Sequence, residues 1–420
     1  MFSLLIFNTN AFRSYYQLAL IVVAAGSIYP LLYLRQNFEI SILESFDITQ
    51  TQLRYCSSML GFIFMVSYVP SGWLADRFSS RKLLASSLLA TALIGIWFST
   101  MPSYHSLLFI YGAWGVATGF TFWSAHIKLV AILANKDQQG KFFGILDGGR
   151  GLVEAILATL AISLFAYVLS QESGSTNIAL RQVIYLYIFV LLLVAPFVYW
   201  FLDDPDESKS DNKADSNFID DLMTVLRHRE IWLCAICIIC GYQLFYATYS
   251  FSAYLQENFG LSAVAVGTIT VAKLWMRPIG GIAAGFIGDW SSPEKVLCIL
   301  LVLASLALGM MAFLPTTSAS ILMLIVVLLI GLLTYGVRGI YWATLGGCNV
   351  PNKIKGLAIG MISMIGYFPE FYLPLISAHL LELYPGVTGY KIYYLIISIF
   401  GVLGAYTAYL LGNSKATTNS

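Results

Sequence analysis

Apolar residues run along this chain in blocks of about twenty, the length that crosses a hydrocarbon core as a helix. Each block is closed by charged residues or by Gly, Pro and Asn. The blocks fall near 14–35, 53–74, 82–101, 105–133, 142–170 and 181–202, then near 231–256, 263–288, 295–314, 319–348, 355–381 and 390–412. They run apolar throughout instead of alternating every second residue as outer-membrane barrel strands do. The pattern predicts an all-α polytopic membrane protein with twelve transmembrane helices. Between the sixth and seventh blocks, Asp203 to Glu230 holds nine of the chain's 22 acidic residues. It reads as a solvated cytoplasmic linker, 203–230, between two six-helix halves, 1–202 and 231–420. Its second part, Asn217 to His228, has helical apolar spacing and is expected on the membrane surface.

Composition agrees with the pattern. The 420 residues are 58% apolar or aromatic and 11% charged, against about 25% charged in soluble proteins. No polar stretch is long enough for a soluble catalytic or DNA-binding domain, and a net charge of +1 provides no bulk field to recruit nucleic acid. The six cysteines, including Cys234-x-x-Cys237-x-x-Cys240, lie within apolar runs and read as packing residues, not as a disulfide or metal framework. The first apolar run is long enough to span and lacks a small-residue cleavage site, so it reads as a helix that stays in the protein.

With both termini in the cytoplasm, inner loops and tails hold fourteen of the 23 Lys and Arg residues, among them Arg77, Arg81, Lys82 and Lys141. The outer loops hold four, Arg35, Arg54, Arg181 and Lys391. That asymmetry fits the positive-inside rule and predicts this orientation in a plasma membrane, such as a bacterial inner membrane.

The halves resemble each other. Gly72-Trp-Leu-Ala-Asp76 recurs as Gly285-Phe-Ile-Gly-Asp289, and Gly140-Lys-Phe-Phe-Gly144 as Gly356-Leu-Ala-Ile-Gly360. Tyr33-Leu-Arg-Gln-Asn-Phe38 returns as Tyr254-Leu-Gln-Glu-Asn-Phe259, and Phe122-Trp123 as Tyr341-Trp342. Four ordered matches suggest a duplicated six-helix unit, the symmetry expected of a transporter whose halves rock about a central site.

The segment Gly72-Trp-Leu-Ala-Asp76-Arg77-Phe-Ser-Ser-Arg81-Lys82 resembles the signature loop of the major facilitator superfamily, with a degenerate copy from Gly285 to Lys295. Together with the twelve spans and the linker, the resemblance covers essentially the whole chain. It implies secondary transport by alternating access, with Asp76, Arg77 and Arg81 helping to hold the cytoplasmic side shut in the outward-facing state. Ser79 or Ser80 replaces the glycine usual after the acidic-basic pair. Three further stretches, Gly140 to Gly151, Lys273 to Gly281 and Arg338 to Trp342, look like a bacterial branch distantly similar to organophosphate:phosphate antiporters. Those antiporters carry phosphate-binding arginines in their first and seventh helices, where 15–34 and 231–256 have none. The departure stands against phosphate-ester transport.

Eight charges lie inside the predicted spans: Lys128, Arg150, Lys273, Arg277 and Arg338, with Asp147, Glu154 and Glu370. Each costs roughly 2.5–3.5 kcal/mol or more to insert, so each should face a cavity or a partner. Spans four and five turn back near residue 137, leaving Lys128 and Asp147 about equally deep. Spans ten and eleven do so near 354, with Arg338 and Glu370 at matching depth. Both are expected to pair, Lys128–Asp147 as a structural ion pair. Asp147, Arg150 and Glu154 share a helical face, and Glu154 lies about 18 Å in, near the midplane. Setting the two pairs aside leaves Arg150, Lys273, Arg277 and Glu154, an excess of two positives. Pro278, Gly280 and Gly281 mark a bend or a close helix approach.

The excess predicts an anionic or zwitterionic organic solute bound by Arg150, Lys273, Arg277 and Arg338. Tyr29 and Tyr33 of span one, Trp123 of span four, Tyr242, Gln243, Tyr246 and Tyr249 of span seven and Trp342 of span ten complete the expected site with apolar bodies and hydrogen-bonding tips. His126 is read as a proton or hydrogen-bonding group, not a metal ligand. Glu154 and Glu370 are the candidate proton carriers, since burial and a neighbouring cation act on a carboxyl in opposite senses. Asp76, Arg77, Arg81, Lys128, Asp147 and Asp289 are the candidate gating and ion-pair residues. The expected protein is a monomeric, proton-coupled transporter without cofactor, metal or nucleic acid. Its partners are a small solute, protons and the lipid bilayer. The alternatives are an exchanger without protons and a membrane sensor of the same fold. With no H-E-x-x-H, no G-x-S-x-G and no metal-suited cluster in the chain, an intramembrane enzyme is not expected.

Overall fold

A computed structural model describes residues 9–418 except 136–137, 173, 204–217, 262, 316–319, 349 and 352–353. Most of the acidic linker therefore lies outside the described residues. Among the described residues, eleven helices are long and apolar enough to cross a membrane: Phe12–Phe46, Gln50–Arg77, Ser80–Phe98, Tyr104–Leu133, Gln139–Leu169, Thr176–Phe201, Arg229–Phe259, Pro293–Phe313, Ile321–Gly346, Lys355–Leu383 and Val387–Asn413. The remaining predicted span, the eighth in order, is Ala263–Leu274 followed by Met276–Trp290, broken at Trp275. Neither piece alone meets the length of a crossing helix. The bend thus falls before Pro278, and Gly280 and Gly281 serve close approach instead.

Local sequence sets several helix starts. Thr49 and Gln52 form a capping box at span two, and Ser79 accepts from the Lys82 amide at span three. Ser292 does the same for Lys295 at span nine, where Pro293 opens the helix. The serine that replaces the usual loop glycine is thus an N-cap, a role serine fills well.

Side chains such as Leu93, Phe109, Phe189, Ile299 and Ile399 are exposed around the bundle, as a lipid-facing surface requires. The spans extend further than the apolar blocks. Span one continues to Phe46 and span two begins at Gln50, so Arg35 and Arg54, expected in outer loops, are instead helical and buried. Helix Phe218–Arg227 docks the predicted surface segment onto the bundle. Val225 and Leu226 face Ile231, Trp232, Met361 and Ile365, while Ile219 and Met223 stay exposed.

Candidate functional site

Spans five and eight lie against each other on a ladder of glycines. A Cβ on Gly144 would press on Gly285, one on Gly148 would meet Ile282, and one on Gly151 would strike the Arg277 side chain. Bare backbone on span five therefore lets Arg277 of span eight reach across. Its guanidinium is bidentate on Asp147, with Nη2 2.7 Å from Oδ1 and Nε 3.2 Å from Oδ2. Nη1 also bonds Glu154. Fork-to-carboxylate geometry of this kind gives strong, directional pairing.

Two more guanidiniums approach the cluster less closely. Arg150 Nη2 lies 3.7 Å from Glu154, and Arg338 Nε lies 3.5 Å from Asp147. Nε of Arg150 and Nε of Arg338 are both buried and, among the described residues, without a hydrogen-bond partner. Aromatic faces support both cations, Tyr29 at 4.8 Å from Arg150 and Phe245 at 4.1 Å from Arg338, an arrangement that stabilises a cation while leaving its in-plane donors open.

All three arginines, Glu154 and Glu370 line one central cavity. Tyr29, Tyr33, Trp123 and Tyr242 also line it. A π-helical stretch, Val116–Trp123, delivers Trp123 from span four; such bulges often mark functional positions. Trp123 Nε1 then donates to Ser363 Oγ at 2.9 Å, tying span four to span eleven.

Glu370 sits where spans one, seven and eleven meet. Tyr33 donates to its Oε1 at 2.7 Å, and Tyr242 donates to the same oxygen. Its Oε2 is buried with no hydrogen-bond partner among the described residues. Such an orphaned oxygen is costly, and it offers a place for a proton or a donor from a solute.

The expected pairings need correction. Lys128 lies 3.0 Å from Asp76 of span two, while Asp147 is held by Arg277 and Arg338. Arg338 and Glu370 share the cavity wall as depth predicts, but Glu370 bonds tyrosines instead. Hairpin depth brings Arg338 and Glu370 to one cavity wall but names the partner of neither Lys128 nor Glu370. Spans five and eight, distant in sequence, pack more intimately than neighbouring spans do.

Several expected site residues stand behind the wall. Lys273 points to the short 3-10 turn of span seven, Nζ lying 2.9 Å from Thr248 Oγ1. Removing Lys273 from the cavity reduces the expected positive excess. Arg150, Arg277 and Arg338 now oppose Asp147, Glu154 and Glu370, so the cluster is neutral when all are ionised and +1 when one carboxyl is protonated. His126 packs against Trp123 and contacts the Phe122 carbonyl through Nδ1 at 3.2 Å. Trp342 donates to the Tyr367 hydroxyl at 3.0 Å, and Tyr367 faces the cavity in its place. Tyr246 meets Arg35, and Gln243 is buried off the cavity wall. Asn37, Tyr68, Tyr187 and Tyr367 line the cavity without having been singled out. Nothing in their spacing separates them from packing or interface aromatics, although Tyr68 and Asn37 each fall on a helix already carrying a named candidate.

On the face that bears the termini, the repeated motifs interlock. The Asp76 carboxylate accepts from the amides of Gly356 and Leu357 at 3.2 and 3.0 Å, at the start of span eleven. Asp289 accepts from Gly140 and Lys141 at 2.9 and 2.8 Å, at the start of span five. A helix N-terminus favours an anion, and Gly72 and Gly285 bring the backbones close enough for the contact. Arg77 lies over the Trp73 ring at 4.3 Å, and Arg81 over Tyr199 at 5.9 Å.

Comparison with known proteins gives one consistent result. The Major Facilitator Superfamily profile matches residues 14–374. Inner membrane protein YqcE of Escherichia coli is 31% identical over 391 residues, covering 91% of both chains. Inner membrane protein YihN of Escherichia coli is 28% identical, covering 94% of both. The nitrite extrusion protein of Bacillus subtilis is 24% identical over 75% of this chain and 74% of its own. Among solved structures, the Escherichia coli fucose:proton symporter FucP superposes with a TM-score of 0.68 at 15% identity, covering 92% of this chain and 98% of its own. The nucleoside transporter NupG superposes with a TM-score of 0.65 at 13% identity, covering 94% and 98%.

Proposed function

Because the chain belongs to the major facilitator superfamily, a family of secondary transporters, we propose that it carries a small organic anion or zwitterion through the central cavity by alternating access, together with a proton. The observation that supports the reading is the unequal use of three arginines. Arg277 is engaged by Asp147 and Glu154, whereas Arg150 and Arg338 line the cavity and each keeps an Nε without a hydrogen-bond partner among the described residues. They come from spans five and ten, so a carboxylate between them would bridge 1–202 and 231–420, the two rocking units. Permanent charges that face a cavity in this way commonly contact solute. The relative named for nitrite extrusion makes anion handling a consistent choice.

Glu370 supplies the coupling. With its carboxyl ionised the cluster sums to zero; protonated, it carries +1, which favours an anion. Proton occupancy and anion binding therefore support each other, as linkage requires. Tyr33 and Tyr242 hold the carboxyl, and Oε2 takes the proton or a solute hydroxyl. Glu154, paired with two arginines, has a positioning role in this scheme. The positive-inside count and the inner-membrane relatives support a bacterial inner-membrane location with cytoplasmic termini.

Purified protein in proteoliposomes, offered labelled sugar acids, hydroxy acids, amino acids and nucleosides with and without an inward proton gradient, tests the reading. Gradient-driven accumulation of an acid, lost in Arg150→Gln and Arg338→Gln, is expected. Equal transport of a permanent cation, with indifference to anions, would overturn it.

A further inference from the structure

A second, smaller cavity lies past Tyr249 from the central one, toward the face opposite the termini. Tyr249 lines both cavities. Arg35, Glu39 and Arg54 contribute to the walls of the second, each only 8% exposed. Arg35 bonds the Tyr246 hydroxyl at 2.8 Å and lies over the rings of Tyr246 and Tyr249 at 5.8 Å from each. Glu39 accepts from Gln50 at 3.3 Å. Among the described residues, Arg54 has neither a hydrogen bond nor an ion pair.

The groups that line this chamber are two guanidiniums and one carboxylate, with Glu257 set behind Glu39 across Gln50, which donates to both. A cation buried to this degree is normally paired, and the planar fork of an arginine matches a carboxylate. Aromatic walls beneath Arg35 fix its plane. The chamber thus has the composition of an anion site, and its position puts it on the way to the central cavity.

We infer that the chamber bounded by Arg35, Arg54 and Tyr246 is a second binding site for a carboxylate, occupied before the solute passes Tyr249. It rests on the central-site reading only for the identity of the solute. The two guanidiniums raise local anion concentration at the entrance, and Arg54 makes the direct contact. Arg35, already held by Tyr246, orients it.

Arginine modification read by peptide mass spectrometry tests the site without requiring transport. Purified full-length protein is treated with phenylglyoxal alone, with sodium gluconate, with sodium acetate, or with sorbitol as the neutral match to gluconate. Modification of Arg54 is expected to be slowed several-fold by gluconate or acetate and left unchanged by sorbitol. The protection should persist in Arg150→Gln, where the central site is disabled, and should vanish in Arg35→Gln that still elutes as a folded monodisperse protein. Should Arg35→Gln not fold, Tyr246→Phe, which frees Arg35 from its anchor, is expected to weaken protection instead. Arg54 that resists modification, protection by neither anion, or protection lost with Arg150→Gln would overturn the inference. Failure of the uptake assay with protection intact would count against the central reading and leave this one standing.

Discussion

Arg277 of span eight and Asp147 of span five are joined by a bidentate ion pair inside the bundle, with a shortest contact of 2.7 Å. The pair is possible because Gly148 lets span eight come close at Ile282 and Gly151 leaves room for the arginine to lie across span five. It ties together two helices that are far apart in the chain, and it determines which arginines stay available to a solute.

Breaking this pair should be damaging, and unequally so from its two ends. Arg277→Gln leaves Asp147 only Arg338 at 3.5 Å and Glu154 only Arg150 at 3.7 Å, and is expected to cost roughly 3–5 kcal/mol, the usual penalty for removing one partner of a buried pair. Asp147→Asn leaves Arg277 its bond to Glu154 and should cost less. Thermal unfolding of the detergent-purified variants checks the order, and an equal or reversed order would remove Arg277 from the centre of the network.

Glu370→Gln should separate binding from protons. In the unmodified protein, anion affinity should fall as pH rises, because the cluster moves from +1 to neutral when Glu370 loses its proton. The glutamine variant is expected to bind with a pH-independent affinity close to the low-pH value, and to retain exchange while losing gradient-driven accumulation. Equilibrium binding across pH, paired with uptake, measures both. Tyr33→Phe and Tyr242→Phe should shift the pH profile without abolishing transport.

Lys273 lies behind the cavity wall, bonded to Thr248. Lys273→Met is therefore expected to leave KM within about twofold of the original, since no solute contact is removed, while changing the melting temperature. A tenfold rise in KM at unchanged stability would put the lysine back in the site.

Bulk at Gly72 should hold the termini face ajar. A Cβ there would collide with the Gly356 carbonyl, pushing span eleven off the Asp76 carboxylate. Gly72→Val is expected to raise the reactivity of a cysteine introduced near residue 357 toward a membrane-impermeant maleimide applied from that side, by several-fold. Unchanged labelling would show that the spans accommodate the side chain.

Much of the fold could be read from the chain because lipid imposes a simple rule: blocks of about twenty apolar residues become spans. The repeated Gly-x-x-x-Asp and Gly-x-x-x-Gly motifs were visible as well, yet not that each docks onto the other half's copy. Partner choice was hidden for the same reason. Asp147 meets Arg277, not Lys128, because helix packing across the bundle, set by glycines on two distant spans, overrides adjacency along the chain. The arginines at 35 and 54 looked like loop charges since hydropathy averages over windows and cannot register a polar face turned inward. Tyr68, Tyr187 and Tyr367 were indistinguishable from belt aromatics for want of any spacing signal.

The clamps at Asp76 and Asp289 are two copies of one latch, fitted to the same door on opposite jambs. Neither can be released by itself if the termini face is to part, for the other still bolts the leaf to the frame. A lesion in one copy should therefore yield a door that leaks, and only damage to both should leave it swinging.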